Sequence, residues 1–173
     1  MTGVNTRFDV PHSRFNDISR AQFERANLHV LAESEAAGVH LAVSEDLFRI
    51  VFFQGHPEYD TISLLKEYKR EIRRYVRGQR DDYPPFPEQY FTPTSQAVLE
   101  EFRDRLMAAQ AGGRELPELP EALVAPTIDN TWHDTAEAIM NNWIGRVYQV
   151  THHDRRLPFK QGVNPSDPLG LRT

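Results

Sequence analysis

The sequence predicts an α/β protein in which antiparallel strands come first and helices follow. Leu28–Ser34, Val39–Ser44 and Phe48–Gln54 are short runs rich in Val, Leu, Ile and Phe, separated by turn material at Glu35–Gly38 and Glu45–Leu47. From Asp60 the spacing turns helical: Ile62, Leu65, Ile72 and Val76 fall on one face, Lys66, Arg70, Arg73 and Arg77 on the other.

The three runs read as consecutive antiparallel strands. The third, Phe48-Arg49-Ile50-Val51-Phe52-Phe53, is almost continuously apolar after Arg49, which predicts a strand buried on both faces. The helix that follows runs to about Arg77 and stops at Gly78. Asp81–Pro93 holds four prolines and four aromatics, a composition for an ordered, extended surface loop that packs by its rings.

A second helix is predicted over Ser95–Gln110, halted by Ala111-Gly112-Gly113, and Leu116–Pro126 reads as an irregular excursion. Thr135–Val150 is the third helix, with Ile139, Trp143, Val147 and Val150 as its buried stripe. Trp132, Trp143 and Tyr148 are expected in the core. No internal repeat or low-complexity tract is visible.

Composition narrows the function classes. At 173 residues, 39% hydrophobic and 26% charged, the chain has the make-up of one soluble globular domain over 1–173. A net charge of −5 offers no positive field for phosphate backbones, so nucleic acid is not an expected partner. No apolar run approaches a membrane span and the first residues lack a signal-peptide core, so the expected location is cytoplasmic, with no membrane partner. Cysteine is absent, which removes disulfides, thiolate metal sites and thiol catalysis from the chain on its own.

Chemistry concentrates at Gln54-Gly55-His56-Pro57-Glu58-Tyr59, where an apolar strand gives way to an amphipathic helix. Gly55 permits close approach, and Pro57 pushes His56 toward the extended region. Residues two apart in an extended stretch share a side, so Glu58 can reach the His56 imidazole. It would hold one tautomer while the other nitrogen serves as general base. The same residues also fit a strand end followed by an acid at a helix start. His152-His153-Asp154 is not expected to bind metal, since adjacent side chains point apart and no third ligand is signalled.

Pro11-His12-Ser13-Arg14 and Gly55-His56-Pro57-Glu58-Tyr59-Asp60, in that order with a strand-rich interval between them, resemble the PHSR and GHPEYD motifs of the homoserine O-succinyltransferase family. The resemblance covers most of residues 11–78 and, more weakly, 142–155, while 80–130 is longer and richer in proline than the family pattern. It implies the C-terminal part of a class I glutamine amidotransferase-like (flavodoxin-like) three-layer fold. It also implies a Cys-His-Glu triad with His56 as base and Glu58 as orienting acid. Ser13 and Arg70 resemble substrate-contacting positions, Arg70 being suited to clamp an amino-acid carboxylate through two parallel hydrogen bonds. On the residues alone, Ser13 also reads as a turn residue and Arg70 as part of a solvated face.

The implied reaction takes an acyl group, succinyl or acetyl, from acyl-CoA to a cysteine and then to the hydroxyl of L-homoserine, a step of methionine biosynthesis, with no bound cofactor. Complete members carry the parallel sheet, the cysteine and the oxyanion donors in an earlier half. The resemblance thus predicts a chain that needs an N-terminal half or self-associates through an uncovered sheet. The same arrangement also serves glutaminase-like amide hydrolases, and a non-catalytic remnant that binds a partner is a further alternative.

Overall fold

The three apolar runs form one antiparallel sheet in the computed structural model of the chain, which describes residues 2–172. Strands β1 (His29–Ser34), β2 (Gly38–Val43) and β3 (Val51–Phe53) lie in the order β1-β2-β3. A tight turn joins the first two: the Ser34 Oγ accepts a hydrogen bond from Ala37 N at 3.0 Å, and Gly38 takes a φ of +67°, which only glycine adopts at no steric cost. Pairing between β1 and β2 slips twice, so that Leu31 has no opposite residue on β2 and His40 none on β1.

The strand buried on both faces is β2, not the third run as its composition predicts. Val39 through Val43 are all buried, whereas Val51, Phe52 and Phe53 of β3 are half-buried and Ile50 is 53% exposed. The reason is position: β3 lies at the sheet's edge and pairs with β2 alone among the described strands. It is also short, because Ser44–Ile50 is a loop organised by one carboxylate. Asp46, 5% exposed, accepts from Ser44 Oγ at 2.6 Å, Phe48 N at 3.1 Å and Arg49 N at 3.0 Å, and pairs with the Arg49 guanidinium. Burial works against its charge, but these hydrogen bonds win and hold the carboxyl well below the usual range. Asp46→Ala should cost about 1–3 kcal/mol in chemical denaturation, because two backbone N–H groups lose their acceptor. A change within experimental error would show that solvent replaces the carboxylate there.

The chain divides into two compact units, 1–58 with 131–173, and 59–130. In the first, a short helix, α1 (Arg20–Arg25), buries Phe23 against Val39 and Ala42 of β2. The sequence reading missed it, although Ser19 followed by Gln22 is a start signal: the Gln22 side chain accepts from Ser19 N at 2.8 Å.

The second unit holds α2 (Ser63–Val76), α3 (Pro93–Ala111), α4 (Glu121–Val124) and a 3-10 turn (Ala125–Thr127). In α2 the predicted stripe holds: Leu65 and Ile72 are buried, joined by Tyr68, and Ile62 and Val76 pack beside them. The helix α3 begins two residues earlier than predicted, because Thr92 caps it by accepting from Ser95 N at 3.2 Å and Pro93 fits its first turn. Leu99, Phe102 and Leu106 of α3 meet Leu65, Tyr68 and Ile72 in one core.

Segment 81–93 packs by its rings, as expected. Phe86 and Phe91 lie 5.6 and 5.7 Å from Tyr68 between ring centroids, and the Tyr90 hydroxyl donates to Thr61 O at 2.5 Å. Burial pushes the Tyr90 hydroxyl up to about 12. Within 116–126, α4 gives the irregular stretch a turn of helix that buries Val124 completely.

The last helix, α5 (His133–Val150), belongs to the first unit. Its buried residues are Thr135 and Ile139, with Trp132 buried just before it. Trp143, Val147 and Val150 are only half-buried, and Trp143 Nε1 donates to Phe48 O at 3.1 Å. Tyr148 is 79% exposed, against the expectation of a core residue: it follows Met140 and Ile144 at four-residue spacing along one side of the helix, and these are exposed as well. The rings of His152 and His153 stack at 4.3 Å instead of pointing apart, because the chain has left α5 and bends there.

Candidate active site

His56 follows directly on the β3 edge, two residues past the point where Gln54 N donates to His40 O at 2.9 Å. Its position is fixed from the other side by Pro11, whose carbonyl accepts from His56 N at 2.7 Å. The segment carrying Pro11 is itself fastened. Arg14 Nη2 donates to Asp17 at 2.7 Å and to Ala37 O at 2.6 Å, and Gln54 exchanges hydrogen bonds with Ile18 N and O at 2.8 and 2.9 Å. Two stretches far apart in sequence are thereby brought together at the turn that ends the sheet.

The His56 ring lies between two oxygens. Nδ1 is 2.9 Å from Glu58 Oε1, and Nε2 is 3.0 Å from the Ser13 carbonyl oxygen. Both partners only accept, so both contacts are hydrogen bonds at once only when the imidazole carries two hydrogens. A ring that donates from Nδ1 to Glu58 leaves Nε2 facing a carbonyl, and that contact must open before Nε2 can take up a proton. Glu58 is 68% exposed, so its charge is screened by water as the site stands.

Of the residues singled out in the sequence, His56, Glu58 and Ser13 therefore meet, although Ser13 does so through its backbone and not its hydroxyl. Arg70 lies on α2 in the other unit. Its guanidinium is 58% exposed, with Nε 3.3 Å from Glu71 and Nη2 3.9 Å from Glu67.

Two residues of this neighbourhood carry no role in the sequence reading, His12 standing there only as part of the Pro11–Arg14 motif. His12 packs against the Arg14 guanidinium, and its imidazole is held below the ordinary value by burial, then by the Arg14 and His56 charges. His40, on β2, is 4% exposed with both ring nitrogens lacking a hydrogen-bond partner, and its ring stands edge-on 5.6 Å from that of His12. A lone histidine inside an apolar strand gives no signal of either fact. No group of three or more His, Asp or Glu among the described residues is disposed to hold a metal ion. No helix among them is long and apolar enough to cross a membrane.

Comparison with known proteins places this α/β chain in a family of acyltransferases. The family model described as Homoserine O-succinyltransferase matches residues 1–153, and the chain belongs to that family. Among curated relatives, the homoserine O-succinyltransferase of Nitrosococcus oceani is 69% identical over 98% of this chain and 48% of its own length. That of Allochromatium vinosum is 66% identical over 97% and 47%, and that of Thioalkalivibrio nitratireducens 64% over 98% and 48%. The chain spans about half the length of the curated relatives it matches.

Proposed function

We propose that this chain supplies the acid–base half of an O-acyltransferase that moves a succinyl or acetyl group from acyl-CoA to the hydroxyl of L-homoserine in methionine biosynthesis. The observation that carries the reading is the His56 ring held against Glu58 at the end of a sheet, in a chain of this family. The chain has no cysteine, so the thiol comes from the part of the family protein that this chain does not match.

In the first step the cysteine thiol gives its proton to His56 Nε2 as its sulfur attacks the thioester carbonyl, the acyl–sulfur bond to CoA breaks, and the leaving CoA thiolate takes that proton from the imidazole. In the second, the homoserine hydroxyl gives its proton to His56 Nε2 as its oxygen attacks the acyl-cysteine, and the cysteine sulfur leaves. Glu58 keeps the hydrogen on Nδ1 and stabilises the charged imidazole. The chain binds no cofactor in this scheme, since acyl-CoA is a substrate. The reading treats residues 1–173 as the C-terminal portion of a homoserine O-acyltransferase-like domain of the class I glutamine amidotransferase-like (flavodoxin-like) three-layer type, acting in the cytoplasm. The unpaired edge of β3 supports an arrangement in which the complementary half, or a second copy, covers the sheet.

The test pairs the purified chain with a polypeptide spanning the unmatched part of the Nitrosococcus oceani relative, and follows CoA thiol release with homoserine and either acyl-CoA. Turnover is expected from the mixture and not from the chain alone. Turnover by the cysteine-free chain, or a stable complex that acylates nothing, would sink the reading.

For Arg70, the expected role is recognition of the homoserine carboxylate. In the complemented enzyme Arg70→Lys should raise the homoserine KM about tenfold and leave acylation by acyl-CoA nearly intact, because lysine cannot reproduce a two-point clamp. An unchanged KM would return Arg70 to the solvated ion pairs it makes with Glu67 and Glu71.

A further inference from the structure

The turn that carries His56 rests on a buried histidine for which the acyl-transfer scheme has no use. His40 sits where the β1–β2 register slips, so it faces no residue of β1. Such a bulge redirects a side chain out of the regular alternation of its strand. Here the ring lands among Phe8, His12 and Phe53, at centroid distances of 5.9, 5.6 and 5.6 Å. Neither ring nitrogen has a hydrogen-bond partner. A buried polar ring left unpaired is costly, and a phenylalanine would fill an aromatic cage without that cost.

What distinguishes His40 from a phenylalanine is the edge it turns toward Gly55. A Cβ built on Gly55 would stand 2.7 Å from His40 Nδ1, 2.8 Å from His12 Nε2 and 3.0 Å from Pro11 O. The bare α-carbon is therefore seated against two imidazole nitrogens and a carbonyl, all hydrogen-bond acceptors when the rings are suitably protonated. A hydrogen on Nδ1, or the ring C–H of a phenylalanine in its place, would add roughly 1 Å on that side. The next residue, His56, hangs from Pro11 O by its backbone, so a displaced Gly55 moves the imidazole away from Glu58 and Ser13.

We propose that His40 is a positioning residue for His56: the hydrogen-free Nδ1 edge of its neutral ring, redirected by the bulge in β2, seats the bare α-carbon of Gly55 and fixes the turn from which His56 projects. This deepens the reading of His56 as the base and rests on it for its catalytic consequence. Its test reads hydrogen positions on the rings and not turnover, so either reading can fail alone.

The experiment is nitrogen-15 NMR of the full chain, in which couplings from the carbon-bound ring hydrogens report which nitrogen carries the hydrogen. Above neutral pH, His40 is expected as the Nε2–H tautomer and His56 as the Nδ1–H tautomer that faces Glu58. A wild-type His40 with its hydrogen on Nδ1 overturns the proposal without any variant. In His40→Phe and Gly55→Ala, His56 should lose its single tautomer and revert to the mixture of a free histidine. His40→Asn, whose side-chain oxygen can stand where Nδ1 stands, should preserve it better than His40→Phe. A space-filling role predicts the reverse order, and that order, or an unchanged His56 in folded His40→Phe or Gly55→Ala, also overturns the proposal. Should either variant fail to melt cooperatively, the wild-type tautomer of His40 decides.

Discussion

Alanine at His56 should lower acyl transfer by the complemented enzyme about 10²–10⁴-fold, the usual worth of a positioned general base. Nδ1 is 2.9 Å from the Glu58 carboxylate, which orients the ring, and the turn is held by backbone bonds to Pro11 and His40. Few parts of the site are left to chance except the Nε2 contact to Ser13 O, which must open for the hydroxyl proton to be received. Because loss of the imidazole removes both proton transfers, the two half-reactions should fall together. Glu58→Gln should do less. An exposed pair contributes up to about 1 kcal/mol, roughly a fivefold rate effect, and more if the complementary half excludes water from Glu58. Equal rates for wild type and both variants, with the complex intact, would make the pair a surface hydrogen bond and nothing else.

The parts of this molecule that periodicity can encode were legible in its sequence. The stripe Leu65, Ile72 and Val76 marks the buried side of α2, and short apolar runs bounded by turn residues mark β1 and β2. The third run misled because composition reports how apolar a strand is and not where it stands in a sheet: an edge strand half-covered on both sides looks like a central one. In α5, Tyr148 sits at helical spacing from Met140 and Ile144, but that stripe faces outward and Thr135 and Ile139 take the buried side. At the site, His56 and Glu58 were legible because they are two residues apart. Their meeting with Ser13 was not, since it is a backbone contact across 43 positions that no side-chain pattern records. His40 was invisible for the same reason. Its role depends on a register slip between β1 and β2 and on the missing side chain of Gly55.

Acid should destabilise the chain in a window that belongs to histidine and not to carboxylates. Burial, with a smaller contribution from the nearby His12, lowers His40 from 6.5 to about 4. In the unfolded chain the ring returns to its ordinary value, so below about 6.5 the unfolded state binds a proton that the folded state refuses. Stability is therefore full above 6.5, drains away as pH falls toward 4, and loses nothing more to this group below that; the whole loss is up to about 3 kcal/mol. His12 adds in the same direction, lowered by burial, Arg14 and His56 and opposed only by Asp17. Carboxylates held low, such as Asp46, lose their contribution only below their ordinary 3.8, so the two windows separate. Denaturant titrations at pH 7, 5.5 and 4.5 should show the wild-type free energy of unfolding falling across the series. In His40→Asn, which cannot take up a proton, most of that slope should vanish. An equal slope in the variant would assign the acid sensitivity to His12 and the other imidazoles, and would mean that His40 already carries its proton in the folded chain or never gains one on unfolding.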